Sequence, residues 1–264
     1  MEALIGTGAF LLHGSENAIG VCSWVLSEGK KTERQVRQKI SVGKYREEIP
    51  MSDKRMENNR VNVTGKIHSG FRYSHQVLGE RFYLVDIAVS RESGYTDIMP
   101  FMFSDKLLDV SQDCTGVMVN VTGQFRSYNR HEETKNRLVL SVFVQEAEFL
   151  EEEPGNDRES NRIFLEGFIC KEPVYRKTPL GRQIADILLA VNRPYGKSDY
   201  IPCIAWGRNA RFAGRLEVGT AVRIQGRIQS REYMKWLSQE KAEVRVAYEV
   251  SVSVMEQKAG GDKP

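Results

Sequence analysis

Tyr200-Ile201-Pro202-Cys203-Ile204-Ala205-Trp206, continuing as Gly207-Arg208-Asn209-Ala210-Arg211-Phe212-Ala213-Gly214-Arg215-Leu216-Glu217-Val218-Gly219, changes its hydrophobic period within one short stretch. Ile201, Cys203 and Ala205 point one way while Tyr200, Ile204 and Trp206 point the other, which is the pattern of a half-buried strand. Phe212 and Leu216 then fall four apart ahead of a glycine stop, so Asn209 to Leu216 reads as one short helix. Upstream, Ile163, Leu165, Gly167 and Ile169 alternate, and so do Ile187, Leu189 and Val191. Downstream, two more strands run over Ala221 to Arg231 and Glu243 to Val254, with a polar loop around Trp236 to Glu240 between them. Three strands, a helix and two strands is the order of a five-stranded OB barrel with its helix between strands 3 and 4. A pair of small β-sandwiches would need no helix there.

The unit occurs twice. Asn59-Arg60-Val61 recurs as Asn161-Arg162-Ile163, and the same offset of 102 carries Gly65 to Gly167, Tyr73 to Tyr175, Leu78-Gly79 to Leu180-Gly181 and Asp97 to Asp199. After one insertion the offset is 103, pairing Gly116 with Gly219, Gly123 with Gly226 and Ser127 with Ser230. The expected fold class is therefore all-β, two tandem five-stranded OB-fold barrels, each with a short helix between strands 3 and 4. A length of 264 residues suits two domains better than one of ~150. The division places a divergent OB domain at 59–150, an acidic linker with Pro154-Gly155 at 151–160, a second OB domain at 161–256 and a short tail at 257–264. Residues 1–58 are an extension, either disordered or upstream of a true start at Met51 or Met56, and no function is assigned to them.

Composition narrows the class. Hydrophobic residues make up 41% and charged residues 28%, as in soluble globular proteins. No apolar run approaches the ~18 residues of a membrane span, so no membrane association is expected. The apolar patch Ala9 to Leu12 has no basic flank, which argues against an export signal and for a cytoplasmic, nucleoid-associated protein. Four cysteines without a CxxC pair and four scattered histidines give no metal site, and no cofactor is expected. A nuclease would need clustered carboxylates for Mg²⁺, and Asp186 and Asp199 lack convergent partners, so the chain does not read as an enzyme.

Charge is uneven along the chain. Residues 161–258 hold 17 basic and 10 acidic side chains, whereas 59–150 hold 10 and 11. In the fourth strand of the second unit, Val222, Ile224, Gly226 and Ile228 face inward while Arg223, Gln225, Arg227, Gln229, Arg231 and Tyr233 face outward. A basic stripe ending in a ring, near Tyr200 and Trp206 on the third strand, offers stacking surfaces for bases and counter-charges for phosphates. The alternatives are a solvated basic face and an apolar patch at a subunit contact.

The motifs Asn161-Arg162-Ile163, Thr178-Pro179-Leu180-Gly181, Leu189-Ala190-Val191-Asn192-Arg193-Pro194, Cys203-Ile204-Ala205-Trp206-Gly207-Arg208 and Gly226-Arg227-Ile228-Gln229-Ser230-Arg231 resemble the bacterial single-stranded DNA-binding protein family, almost end to end in the second unit. The resemblance implies sequence-independent binding and protection of single-stranded DNA in replication, recombination and repair. It implies base stacking on Tyr195, Tyr200, Trp206 and Tyr233. Arg193, Arg223, Arg227 and Arg231 are expected, on charge and position, to neutralise phosphates. The first unit has Ser93, Ile98, Ser104 and Arg130 at the four ring positions, and Phe101 and Phe103 on its inward face. Family members act as four OB domains, so two per chain imply a homodimer whose first units are mainly architectural. The chain ends at Ala259-Gly260-Gly261-Asp262-Lys263-Pro264 without the family's acidic Pro-Phe tip, so recruitment of replication and repair proteins is in doubt. Competing readings are a replication-restart or mobile-element accessory acting through protein contacts, which would lose the rings from both units, and a single-stranded RNA binder, since stacking does not read the 2′-hydroxyl.

Overall fold

Alternating aliphatic residues build strands in both units, as the period of two requires. The computed structural model describes residues 57–132, 135–151, 160–236 and 242–258. The extension over 1–58, apart from its last two residues, most of the linker and residues 259–264 lie outside the described residues. The first unit runs β1 (Asn59–Ile67), β2 (Arg72–Val77), β3 (Glu80–Ser90), β4 (Thr96–Ser104), β5 (Met118–Glu132) and β6 (Lys135–Leu150). The second runs β7 (Asn161–Ile169), β8 (Val174–Lys177), β9 (Gln183–Asn192), β10 (Ser198–Trp206), α1 (Gly207–Ala213), β11 (Ala221–Trp236) and β12 (Ala242–Gln257).

Each unit closes on itself. β1 pairs with β3, β3 with β4, β4 with β6, β6 with β5, and β5 with β1. In the second unit β7, β9, β10, β12 and β11 close in the same way. Among the described residues only the pairings of β4 with β6 and of β10 with β12 are parallel, as the OB order demands. β2 and β8 are short outer strands that extend β3 and β9 into hairpins. Inward side chains fill the barrels: Val61, Val63, Val85, Ile87, Phe101 and Phe103 in the first, Leu165, Ile187, Leu189, Ile201, Cys203 and Ile224 in the second. Each such side chain contributes roughly 1.5–3 kcal/mol relative to exposure.

Two glycines on the second barrel lie where strands almost touch. A Cβ on Gly167 would sit 2.3 Å from the Ala190 carbonyl oxygen, and one on Gly226 would sit 2.1 Å from that of Ser251. Gly65 and Gly123 make the same approaches in the first unit.

The helix expected in both units forms only in the second among the described residues. There Ala210 and Ala213 pack on the core. In the first unit residues 105–117 form successive turns. Asp109 Oδ1 accepts from the backbone N–H and the hydroxyl of Ser111, and Asp113 Oδ1 accepts from the Thr115 N–H. Such local bonds compete with helical ones.

The two barrels are joined by their first strands. β1 pairs antiparallel with β7 from Asn59↔Leu165 to Val63↔Asn161, and the central pair is Val61↔Ile163. Those two residues are equivalent by the repeat, so a local two-fold relation runs between them. Backbone bonds obey it: Thr64 N–H donates to Ser160 O and Glu166 N–H to Asn58 O, both at 2.7 Å. Side chains obey it too, since Asn59 caps Phe125 and Asn161 caps Ile228, each by giving and accepting one backbone bond.

Candidate nucleic-acid interface

Backbone corners present two of the four expected rings. Arg193 N–H donates to Lys197 O at 2.7 Å, closing a tight turn in which Tyr195 has φ 63° and Gly196 φ 67°. The left-handed conformation costs Tyr195 about 1–2 kcal/mol. It holds the ring 95% exposed. At the far end of β10, Gly207 with φ 55° turns the chain into α1 directly after Trp206, so the indole stands at a corner.

Tyr200 and Trp206 share the outer face of β10 and are 44% and 40% exposed. Six residues at ~3.3 Å each set them roughly 20 Å apart, far enough for several stacked bases between them. Ile204, read as outward with them, is buried, and so is its counterpart Met102. β10 runs between β9 and β12, whose side chains flank it on both sides. Two separate platforms result.

Tyr233, 37% exposed, lies beyond the barrel. β7 accompanies β11 only to Gly226, whereas β12 continues with it to Trp236↔Ala242, leaving a two-stranded ribbon. The Arg231 guanidinium carbon lies 6.0 Å from the centre of the Tyr233 ring.

The arginines are more dispersed than the alternation suggested. β12 lies between β10 and β11, so the third and fourth strands are not neighbours. Arg223 Nε donates to Glu166 Oε1 at 2.8 Å, and Glu166 also takes the Lys258 ammonium at 2.7 Å. The Lys258 bond, and after it that of Arg223, holds the Glu166 carboxyl below the usual carboxylate range against the opposing effect of burial. Arg227 is half-buried and lines a groove of about 1050 Å³ over the β1–β7 seam, together with Arg60, Arg91 and Arg162. Those three were not among the expected residues, although Arg60 and Arg162 stand in the repeated Asn-Arg motif. Arg231 is exposed, with Nε 3.8 Å from Glu249. Gln229, read as outward, is 8% exposed and donates to Glu249 at 2.8 Å.

Arg193 sits apart from the other three, at the contact between the barrels. Asp199 is buried there, its Oδ1 accepting the Ser127 N–H at 2.7 Å, and Ser127 Oγ accepts the Tyr200 N–H at 2.7 Å. Arg193 Nε lies 3.2 Å from Asp199 Oδ2 without hydrogen-bond alignment, so neither atom has a hydrogen-bond partner. The equivalent contact is tighter. Asp97 accepts from the Ser230 N–H and hydroxyl at 2.6 and 2.8 Å and from Arg91 Nε and Nη2 at 2.5 Å each.

At the first unit's ring positions, Ser93 is exposed, Ile98 is exposed, and Ser104 is buried, donating to the Glu80 carboxylate. The Arg130 side chain lies outside the described residues. Exposed rings outside the expected set include Trp236 on the ribbon with Tyr233, and Tyr95, two residues past Ser93 in the same turn, with the Arg91 guanidinium 4.7 Å from its centre. Among the described residues no group of three or more His, Cys, Asp or Glu could hold a metal, and no helix is long and apolar enough to cross a membrane.

The family model of single-strand binding proteins matches residues 160–256. Single-stranded DNA-binding protein A of Bacillus subtilis is 36% identical over 108 residues, 38% of this chain and 62% of that one. The single-stranded DNA-binding protein of Halalkalibacterium halodurans is 38% identical over 80 residues, 28% of this chain and 48% of the other. The chain thus spans about half to three-fifths of these relatives' length. Among solved structures, the wild-type single-stranded DNA binding protein from Thermus aquaticus superposes with a TM-score of 0.58, covering 77% of this chain and 94% of that chain at 19% identity, a likeness of fold.

Proposed function

Because the chain belongs to the single-strand binding protein family through residues 160–256, we propose that it binds and protects single-stranded DNA without sequence preference and without catalysis. The observation that carries this reading is the outward display of Tyr195, Tyr200 and Trp206 along the β9–β10 wall, with Tyr233 on the adjoining ribbon. Rings held on a rigid wall stack unpaired bases of any identity, at ~1–3 kcal/mol per base. Arg227 and Arg231 supply the accessible phosphate charge; Arg223 contributes less because Glu166 already holds it.

Two barrels per chain further suggest a homodimer with four OB domains, acting in the cytoplasm on exposed strands during replication, recombination and repair. The test is a salt-dependent titration of the full chain with oligo-dT, duplex DNA and oligo-U. Tight, strongly salt-dependent binding of oligo-dT with weak duplex binding is expected. Equal affinity for oligo-dT and duplex would remove the stacking reading, and preference for oligo-U would make the ligand RNA.

A further inference from the structure

The two contacts between the barrels are equivalent by the repeat, yet their charges differ. Beside Asp97, the ladder position next to Ser230 is filled by Gln229 opposite Glu249, both buried. Beside Asp199, the ladder position next to Ser127 is filled by Arg126 opposite Ser141. The Asp97 contact therefore sets two carboxylates, Asp97 and Glu249, against two guanidiniums: Arg91, which both carboxylates help to hold charged, Asp97 foremost, and Arg231, whose Nε lies 3.8 Å from Glu249. At the Asp199 contact two guanidiniums, Arg126 and Arg193, share one carboxylate.

The excess charge there is not neutralised. Among the described residues Arg126 donates only to the uncharged Gln124 Oε1, through Nε at 3.2 Å and Nη2 at 2.6 Å, and lies 4.7 Å from the centre of the Phe143 ring. Burial, and then the nearby charge of Arg193, pushes the Arg126 guanidinium below its usual range. Burial likewise pushes the Asp199 carboxyl up, with the Ser127 N–H and the two guanidiniums opposing it. A part-buried positive charge without a counter-ion is costly, and an arriving anion relieves that cost. The site adjoins a stacking platform, since Tyr200 follows Asp199 in the chain and its N–H is bonded to Ser127, the neighbour of Arg126.

We infer that the Asp199 contact is a phosphate subsite, in which Arg126 of the first barrel and Arg193 of the second hold one phosphodiester of the strand whose base stacks on Tyr200. The inference rests on the single-strand reading above and places a DNA-binding residue in the barrel otherwise assigned an architectural role. Its counterpart at Asp97, where Arg91 and Arg231 match Asp97 and Glu249, has no such unmatched guanidinium. Of the two equivalent places, the Asp199 contact is therefore the one at which the strand is held as it passes from one barrel to the other.

The test uses the full chain and two variants, Arg126→Gln, which copies Gln229, and Ser141→Glu, which copies Glu249, with Arg126→Lys as the charge-keeping control. Each is titrated with oligo-dT across a salt series. Both Arg126→Gln and Ser141→Glu are expected to weaken binding several-fold at low salt and to lower the log–log salt slope by about 0.7–1, the share of one phosphate. Arg126→Lys should keep the wild-type slope, and quenching of Trp206 at saturation should be unchanged in all three. Wild-type slopes in both Arg126→Gln and Ser141→Glu would overturn the subsite while leaving the single-strand reading standing, as would loss of slope in Arg126→Lys. Failure of the wild-type chain to bind oligo-dT would overturn both. Should one variant fail to fold, the slope of the other decides.

Discussion

Trp206 ends a strand at a glycine corner, and its ring is partly covered and partly open to solvent. Trp206→Ala should weaken oligo-dT binding by ~1–3 kcal/mol in an equilibrium titration. Ser104→Ala, at the equivalent position, should leave affinity nearly unchanged, because that hydroxyl is turned toward Glu80. Cys203 shows the opposite extreme. It faces the barrel interior, where burial pushes the thiol up and keeps it protonated. Only the thiolate reacts with alkylating reagents, so at neutral pH Cys203 should be modified no faster than the barrel opens, as mass spectrometry of the alkylated chain would show. The alternation of Tyr200-Ile201 through Trp206 was legible in the sequence because a strand's period of two is local. The burial of Ile204 and Gln229 was not. Alternation says which side of a strand a residue takes, and says nothing of what then covers that side.

At the scale of elements, strand positions were largely legible from alternation, whereas strand neighbours follow only from the OB order and not from alternation. The third and fourth strands of the second unit, β10 and β11, are separated by β12, a pairing that depends on residues far apart in the chain. Arg223 and Arg231, which the sequence puts on one stripe, consequently differ in setting, Arg223 over the sheet and tied to Glu166, Arg231 on the protruding ribbon. Arg231→Gln should therefore cost more affinity for oligo-dT and more of the salt slope than Arg223→Gln, compared at one salt concentration and then across a series. The missing helix in the first unit has a similar lesson, since Leu107 and Leu108 look helix-compatible while Asp109 and Asp113 spend their oxygens on turns. Where strands nearly touch, the element itself is at stake. Gly226→Ala would drive a methyl group to within 2.1 Å of the Ser251 carbonyl oxygen and should lower the melting temperature markedly, whereas Gly70→Ala, with open space around it, should not.

For the whole molecule, the repeat announced two barrels but not how they meet. The repeated Asn-Arg-Val and Asn-Arg-Ile motifs turn out to mark the local two-fold relation, with Val61 against Ile163 at its centre. That arrangement ties the halves together through buried Asp97 and Asp199, each bonded to a serine of the other barrel. The four expected stacking rings all lie on the second barrel, while the first exposes Tyr73, Tyr95 and Tyr128. If two chains assemble into four barrels, light scattering at micromolar concentration should give the mass of two chains; a stable monomer or a four-chain particle would contradict this. The central claim is that unpaired bases stack on the β9–β10 wall of the second barrel. It is tested most directly by titrating the full chain and its Trp206→Phe variant with oligo-dT while following tryptophan fluorescence, with duplex DNA of the same length as the comparison. The account predicts strong quenching by oligo-dT, little by duplex, and loss of most of the change in Trp206→Phe despite the remaining Trp24 and Trp236. Quenching of equal size in wild type and Trp206→Phe, or equal binding of duplex, would contradict it.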